Sequence, residues 1–585
     1  MCTTVIVGKA VSKTGRVIVG HNEDAGGRVF HQQFYVPGGK HADSDLLVAE
    51  PGRAQVPQAA ETLATYWSNM LQIDGSSFDQ GYANEAGLVI CSNGGGSSFD
   101  GDDPDEAALG LKDGGVGFLL RRIMAERAKT AREAMEIAAK LLDEYGYFGS
   151  ARNYTVADKN EAWCLNVVKG HHYVAKRIPD DKVMLISNML AIRHVDINDH
   201  ENVIAPADLI EYAIKKGRYT PKVPGDYSDF DFAMAYQSDE NRHAPTKSVR
   251  MRLGWWAITG NYYGDELHYP ELLSPAHAMG VEDVRDVLGL TCYESYAMRG
   301  DGKEDAFHVS ARDISRSQTR ESWVMDLAED PLYNTMWRCS SYQDTGVYIP
   351  WFPMSGIIPE GYQWMNIEQA RKNHFHLEPH YLDYDLDKSF FIYATVGELT
   401  NFNRGLLPGI VRAKKQFTEK LQSDYEAAVA HAKTLSREEA RQYLGEFTAR
   451  ECAQADEKWE TMLKQISLHT MSVEAETVSV SVSQEHEVEV VLYGSADFDV
   501  TGLDMETVYW SLGFTGKKES VNAPARPIKH RFEDVDRDGF TDCVLTFNAH
   551  EVAQFAIAGT VTDTYLRGLC NCIRFVAMDT VKFVD

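Results

Sequence analysis

Positive charge is scarce in this chain: 58 Lys and Arg stand against 86 Asp and Glu, a net −28 over 585 residues. That balance argues against a nucleic-acid partner and against an anionic membrane surface. No apolar run reaches the length of a membrane-spanning helix. No charged-then-apolar leader precedes Cys2, which also disfavours a lipidated cysteine, so a cytoplasmic location is expected. Nine cysteines in so long a chain do not read as a disulfide framework. Cys570-Asn571-Cys572 is too closely spaced for a zinc knuckle and lacks a second pair. There are no internal repeats and no low-complexity tract. Ser92-Asn93-Gly94-Gly95-Gly96-Ser97 lacks the Lys and helix context of a phosphate loop. The length exceeds one ordinary core, so two or more domains are expected.

What is present begins at the second residue. Removal of Met1 would make Cys2 the N-terminal residue, carrying a thiol and a free α-amine together. Unperturbed values of about 7.7–8.0 for the amine and about 8.5 for the thiol let both titrate near working pH. The amine can then take the thiol proton and return it to a leaving group. By position alone, Cys2 reads as the second residue of a β-strand. Residues 2–8 and 16–20 are β-branched and apolar, and Ser12-Lys13-Thr14-Gly15 supplies turn chemistry, which predicts a hairpin. A centre near residue 13 or 14 sets residue i against roughly 27 − i. Cys2 and Thr3 then face Asp24 and Ala25, and His21-Asn22-Glu23-Asp24 returns to the mouth of the site. Asp24 is a candidate to hold the α-ammonium or orient the thiol, and is otherwise a strand-end turn residue.

The Cys-Thr-Thr start, short strand and turn, followed by Gly20-His21-Asn22-Glu23-Asp24, resemble the dipeptidase A family. These are cysteine peptidases of the N-terminal-nucleophile (Ntn) hydrolase superfamily, distantly similar to bile salt hydrolases and penicillin V acylases. Tyr82-Ala83-Asn84-Glu85-Ala86-Gly87-Leu88, the stretch Glu126–Ala134, Asn153-Tyr154, Leu185-Ile186-Ser187-Asn188, Phe307–Arg312 and Thr319-Arg320-Glu321-Ser322 follow in the family's order. The resemblance covers about residues 2–470. It departs at His21, where the acylase relatives carry Arg.

The resemblance implies an α+β fold, the four-layer αββα Ntn-hydrolase sandwich, with Cys2 at a strand end between the sheets. It implies Asn188 as first candidate for the oxyanion donor, Asn84 or Asn93 as second, and Arg312 as a site arginine. His21 joins the candidate site through its place beside the thiol.

Organisation changes along the chain. Residues 1–330 alternate strand-like runs and helices. A capping box at Thr130-x-x-Glu133 opens a helix that Gly146 stops, and Pro206-Ala207-Asp208-Leu209-Ile210 opens another. Residues 331–365 concentrate Trp337, Tyr342, Tyr348, Trp351, Phe352 and Trp364, which either line a cleft or pack a core. A helix-rich extension covers about 410–470, with a second box at Ser436-x-x-Glu439. From 474 to 585 a period-two pattern (Val478, Val480, Val482, then Val488, Val490, Leu492) predicts an appended antiparallel β-sandwich, so the expected domains are 1–470 and 474–585. Within it, Asp534, Asp536, Asp538 and Asp542 with Gly539 match the first nine positions of a calcium loop. Leu545 at position 12 excludes an EF-hand proper. A structural Ca²⁺ or a plain acidic turn fits this pattern, and catalysis is not expected there.

The leading expectation is a dipeptidase acting on short peptides through Cys2, with no cofactor for catalysis. An Ntn amidase of the penicillin V acylase or bile salt hydrolase type is the alternative. A second alternative is a calcium-dependent binding protein whose catalytic domain is vestigial. The expected partners are short peptides, with no nucleic acid and no membrane, and homo-oligomerisation stays open.

Overall fold

The computed structural model describes residues 2–25, 29–48, 52–72, 77–99, 109–242, 249–261, 263, 270–291, 313–372, 383–466, 468–474, 479–512 and 525–585. The chain divides into two compact units: Met1–Gly397 with Leu421–Ala453, and Glu398–Lys420 with Gln454–Asp585.

The first unit opens with β1 (Thr3–Val7) and β2 (Ile18–Asp24), followed by β3 (Val29–Val36), β4 (Thr65–Gln72), β5 (Ser77–Asn84) and β6 (Val89–Gly94). Two helices come next, α1 (Leu119–Arg127) and α2 (Ala131–Tyr145), and then β7 (Arg152–Ala157), β8 (Ala162–Val167), β9 (Tyr173–Ile178) and β10 (Val183–Ile186). Further on are α3 (Val249–Thr259), α4 (Val281–Leu288), β11 (Thr319–Asp326), β12 (Thr335–Ser340) and β13 (Tyr348–Trp351). One sheet has the order β10-β1-β2-β11-β12-β13. An eight-stranded sheet runs from Val203–Ile204 through β9-β8-β7-β6-β5-β4 to β3. The architecture is α+β.

Helix α2 starts where the sequence predicts. Thr130 accepts from Glu133 N, although the Glu133 carboxylate reaches Lys129 N (2.7 Å), one residue before the cap. Gly146 ends the helix with φ 70°, a conformation that favours glycine. The second box forms as expected, with Ser436 N donating to Glu439 Oε2 at 3.1 Å.

All five residues of β1 are buried, so both faces of the strand are covered and no face alternates with solvent. Val5 and Val7 join Ile18, Leu185, Val324, Trp255, Val284 and Leu288 in one core, which places α3 and α4 on that face. Gly20 permits this contact, because a Cβ there would lie 2.4 Å from Val284 Cγ1. The eight-stranded sheet buries Phe34, Trp67, Tyr82, Ile90, Tyr154 and Trp163 against Leu120, Met124, Met135 and Leu142 of α1 and α2. Polar contacts join the two sheets. Thr4 Oγ1 donates to Asn93 Oδ1 (2.7 Å), Ser68 Oγ donates to Glu321 Oε2 (2.8 Å), and Arg338 bridges Glu321 and His31. Arg338 donates to His31 Nδ1, so Nε2 carries the proton and donates to Arg320 O at 2.6 Å.

The aromatic segment is core: Trp337, Tyr342, Tyr348, Trp351 and Phe352 are all buried. Tyr66 and Tyr362 meet Trp351 edge-on, and the Arg338 guanidinium lies 5.2 Å from the Trp351 ring.

The hairpin register differs from expectation by two residues. Thr3 pairs with Asn22, Thr4 with His21 and Val7 with Ile18, so paired numbers sum to 25 and not 27. The connection is a ten-residue loop rather than a tight turn at 13–14. Lys9–Val11 coil into a short 3₁₀ turn, fixed by Gly8 N to Lys182 O (2.9 Å) and Ala10 N to Asp180 O (2.8 Å). A shift of two keeps every side chain on its expected face. It sets Glu23, and not Ala25, opposite Cys2.

Residues 468–584 form β14 (Leu468–Glu474), β15 (Ser479–Ser481), β16 (Glu487–Leu492), β17 (Leu503–Leu512), β18 (Lys529–Glu533), β19 (Asp542–Asn548), β20 (Val561–Cys570) and β21 (Ile573–Val584). The expected antiparallel pattern is broken twice, because β14 and β15 both pair in parallel with β21. Alternation specifies which face is buried, but not the direction of the neighbouring strand. Val480, Val490, Trp510, Leu545, Leu566 and Phe575 meet in a single core.

Candidate active site

Cys2 precedes β1 and is 6% exposed. Its Sγ donates to Glu23 Oε1 at 3.1 Å and lies 4.0 Å from Asp24 O. Extending the observed register by one residue sets Cys2 opposite Glu23, and this is why Glu23 meets the thiol. Burial, and then the Glu23 charge, push the thiol pKa up.

Glu23 shares its second oxygen with His21, whose Nε2 lies 3.2 Å from Oε2. On the other side of the ring, His21 Nδ1 is 2.8 Å from Thr4 Oγ1, and Thr4 donates to Asn93 Oδ1. A carboxylate only accepts, and the single Thr4 hydrogen goes to Asn93, so both ring nitrogens carry hydrogen. The imidazolium is consistent with its electrostatics. Burial alone would lower the His21 pKa, but Cys91 and Glu23 more than offset it and hold it well above the ordinary value. For Glu23, burial is likewise outweighed by His21, and its carboxyl lies below the ordinary range. A run of hydrogen bonds thus leads from thiol to Glu23, His21, Thr4 and Asn93.

Asp24 turns to other partners. Arg316 Nε donates to Oδ2 at 3.0 Å and Thr319 Oγ1 to Oδ1 at 2.6 Å. Burial nonetheless leaves its pKa raised, against the pull of Arg316. Asn188 donates to Gly94 O (3.0 Å) and accepts from Arg250 Nη1 and Nη2, both at 3.2 Å. Arg250 Nη1 also donates to Cys2 O at 3.1 Å, so α3 reaches directly into the site.

Of the expected residues, the structure brings Cys2, His21, Asp24 and Asn188 together. Asn84 is elsewhere. Its Nδ2 donates to Ala125 O and Ala128 O, and its Oδ1 accepts from Ala86 N and Leu88 N. Every hydrogen and lone pair is engaged in tying the β5–β6 turn to α1, which corrects its reading as an oxyanion donor. Asn93 Nδ2, in contrast, is buried with no partner among the described residues. Arg312 lies outside the described residues.

Residues 1–380 match the family model described as Peptidase family C69. The chain belongs to Peptidase family C69. Curated relatives include a probable dipeptidase B of Streptococcus pyogenes serotype M1, 24% identical over 488 residues, covering 78% of this chain and 93% of that protein. A probable dipeptidase of Latilactobacillus sakei is 24% identical over 394 residues, covering 64% of this chain and 79% of that protein. Among solved structures, a C2A mutant of conjugated bile acid hydrolase from Clostridium perfringens covers 60% of this chain and 92% of that chain, with 11% identity and a TM-score of 0.27.

In this C69 peptidase the sequence reasoning missed three site residues: Glu23, Arg250 and Arg316. Glu23 is within reach of the hairpin pattern and is lost to the two-residue shift in register. Arg250 and Arg316 sit in ordinary polar contexts, and nothing local in the sequence distinguishes them.

The Asp-rich loop lies in the second unit. Carboxylate oxygens of Asp534, Asp536 and Asp542 lie within 4.8 Å of one another, while Asp538 Oδ1 accepts from Phe540 N. Asp542 is buried and accepts from Gly494 N and Val535 N. This all-oxygen donor set suits a hard cation such as Ca²⁺. No helix among the described residues is long and apolar enough to cross a membrane.

Proposed function

We propose that this C69 peptidase is a dipeptidase whose nucleophile is the Cys2 thiol, exposed as an N-terminal residue by removal of Met1. The observation that carries the reading is the placement of Cys2, buried at a strand end with its thiol on Glu23. The free α-amine takes the thiol proton, and the thiolate attacks the scissile carbonyl to form a tetrahedral intermediate. Asn93 Nδ2 and the remaining amide hydrogen of Asn188 are the oxyanion donors of this reading, with Arg250 positioning Asn188. As the C–N bond breaks, the ammonium returns its proton to the departing amine. Water then cleaves the thioester and regenerates the thiol.

In the same reading, Glu23 and the His21 imidazolium orient the thiol, and Asp24, fixed by Arg316 and Thr319, faces the α-ammonium. Arg312 keeps its candidacy on resemblance alone. Helices on the outer face of each sheet and polar contacts between the sheets support the four-layer αββα arrangement. The eight strands around one core support an appended β-sandwich that begins at Leu468, ahead of the expected boundary at 474, with a structural Ca²⁺ held by Asp534, Asp536 and Asp542. The eight described cysteines are all free thiols, which supports a cytoplasmic location.

The test is N-terminal analysis of the purified protein together with hydrolysis of a dipeptide panel and acyl-amide controls in chelator. Free Cys2, chelator-resistant dipeptide turnover and a dead Cys2→Ala variant are expected. Retained Met1, or activity that survives Cys2→Ala, overturns the reading.

A further inference from the structure

Two arginines beside the site share a single neutral acceptor. Arg121 on α1 and Arg152 on β7 each donate one Nη1 hydrogen bond, both at 3.0 Å, to Ser92 Oγ. Arg121 is 1% exposed and Ser92 1%, while Arg152 is partly exposed. Neither arginine forms an ion pair among the described residues. Arg121 Nε, Arg121 Nη2 and Arg152 Nε are buried with no hydrogen-bond partner there. The Phe118 ring is stacked below, 4.7 Å from the Arg152 guanidinium and 5.7 Å from that of Arg121.

This arrangement is unfavourable as an end in itself. Two like charges share one neutral hydroxyl, in a protein whose net charge of −28 would supply carboxylates freely. The unpartnered atoms also have a pattern. Nε and Nη2 of Arg121 form one edge of the guanidinium, the fork that binds both oxygens of a carboxylate at once.

The pair connects to the nucleophile through a short series of contacts. Arg152 pairs across the sheet with Gly94. Gly94 O accepts from Asn188, and Asn188 is held by Arg250, which binds Cys2 O. Burial would lower the Arg152 pKa, but the hydroxyls of Tyr147 and Tyr154 and the charges of Glu23 and Cys2 leave it raised. A near-attack contact, one extended residue and a charge-assisted hydrogen bond together span about 10 Å.

We propose that Arg121 and Arg152, with Ser92 between them, form a subsite for a carboxylate on the second residue of a dipeptide. The inference rests on the peptidase reading and adds the means by which substrate length is measured. The carboxylate is either the C-terminal group or an acidic side chain, and the chemistry at the arginines is the same.

The test compares Ala-Ala, Ala-Ala amide and Ala-Glu amide as substrates of the wild-type protein and of Arg152→Gln and Arg152→Lys. Wild type is expected to favour the free acid over the amide by about 10- to 100-fold in KM, the range of charged hydrogen bonds. Arg152→Gln should erase that preference with kcat retained, and Arg152→Lys should restore part of it. Recovery with Ala-Glu amide assigns the subsite to the side chain, and no recovery assigns it to the terminus. Equal KM for Ala-Ala, Ala-Ala amide and Ala-Glu amide in wild type overturns the proposal without any variant.

A second readout needs no turnover. Calorimetry on Cys2→Ala should show binding of Ala-Ala and none of Ala-Ala amide, lost in Cys2→Ala with Arg121→Gln. Binding without turnover of any dipeptide by wild type would overturn the peptidase reading and leave the subsite standing. Equal binding of Ala-Ala, Ala-Ala amide and Ala-Glu amide overturns the subsite.

Discussion

The Cys2 thiol and the Glu23 carboxylate are 3.1 Å apart, donor to acceptor, across the first hairpin of the chain. This contact couples the nucleophile to a buried charge pair, because Glu23 also binds the His21 imidazolium.

Glu23→Gln tests that coupling. The variant should lose about 10²-fold in kcat, at the low end of what a positioned acid–base group contributes, with KM little changed. It should also lose about 3 kcal/mol of stability, because the buried His21 charge is left without its partner. The sign of the pH dependence follows from the two shifts. The Glu23 pKa is depressed below 4.5, so its contribution is present above that value and is lost as pH falls through the folded pKa. The His21 pKa is raised above 6.5, so its contribution is full below that value and is lost as pH rises through the folded pKa. The difference in melting temperature between wild type and variant should therefore be largest near neutral pH and shrink in both acid and alkali. A constant difference across pH would refute the charge pair.

The two asparagines that the sequence offered as equals should separate in experiment. Asn93→Ala removes an unpartnered buried Nδ2 and should lower kcat about 10²–10³-fold, the usual loss for an oxyanion donor. Asn84→Ala breaks four bonds that hold the β5–β6 turn to α1. It should lower the melting temperature and leave kcat per folded molecule near wild type. Circular dichroism melts and active-site titration read both effects, and equal kcat losses would contradict the assignment.

How much of this was legible in the sequence follows from which interactions are local. The Thr130 and Ser436 caps, the hairpin and the alternation over Glu487–Val490 depend on neighbours within a few residues, and the structure contains them, while Val478 lies outside the described residues. The register failed because residues 8–10 are fixed by Asp180 and Lys182, far along the chain. Arg250 enters the site from a helix almost 250 positions after Cys2 (|i−j| = 248), and no local pattern announces such a contact. The parallel pairing of β14 and β15 with β21 joins segments that share a period but carry no signal of direction. Asn84 shows the opposite failure: a motif match identified a residue that the fold uses for a turn.

Soft divalent cations should inhibit the enzyme. Ligand atoms of Cys2, His21 and Glu23 lie within 4.8 Å of one another, and thiolate, imidazole and carboxylate suit Zn²⁺. Binding would displace the thiol proton and break the His21–Glu23 contact, consuming the nucleophile. Micromolar Zn²⁺ or Cd²⁺ should suppress dipeptide turnover, and chelator should restore it fully. Chelator should never lower the activity of the metal-free protein. A loss of activity in chelator that Zn²⁺ repairs would make the cluster a catalytic metal centre and reverse the mechanism.

Calcium should act on the C-terminal strands without touching turnover. The exposed Asp536 carboxyl has a raised pKa, from desolvation and then the charges of Asp538, Asp542 and Asp534, opposed by its bond from Asp538 N. A divalent cation relieves that repulsion and is held by oxygen donors that already converge. At a hundredfold excess over its dissociation constant, Ca²⁺ would add about 2.7 kcal/mol to the unit that binds it. Differential scanning calorimetry should show one transition moving up with Ca²⁺ and back with chelator, while dipeptide hydrolysis stays constant. Asp536→Asn removes a ligand and part of the like-charge repulsion. It should therefore abolish the calcium-dependent shift without lowering the calcium-free transition. A calcium response retained in Asp536→Asn would place the cation elsewhere, and no response in wild type would leave these aspartates as an acidic turn, closed by the Asp542 bonds to Gly494 N and Val535 N.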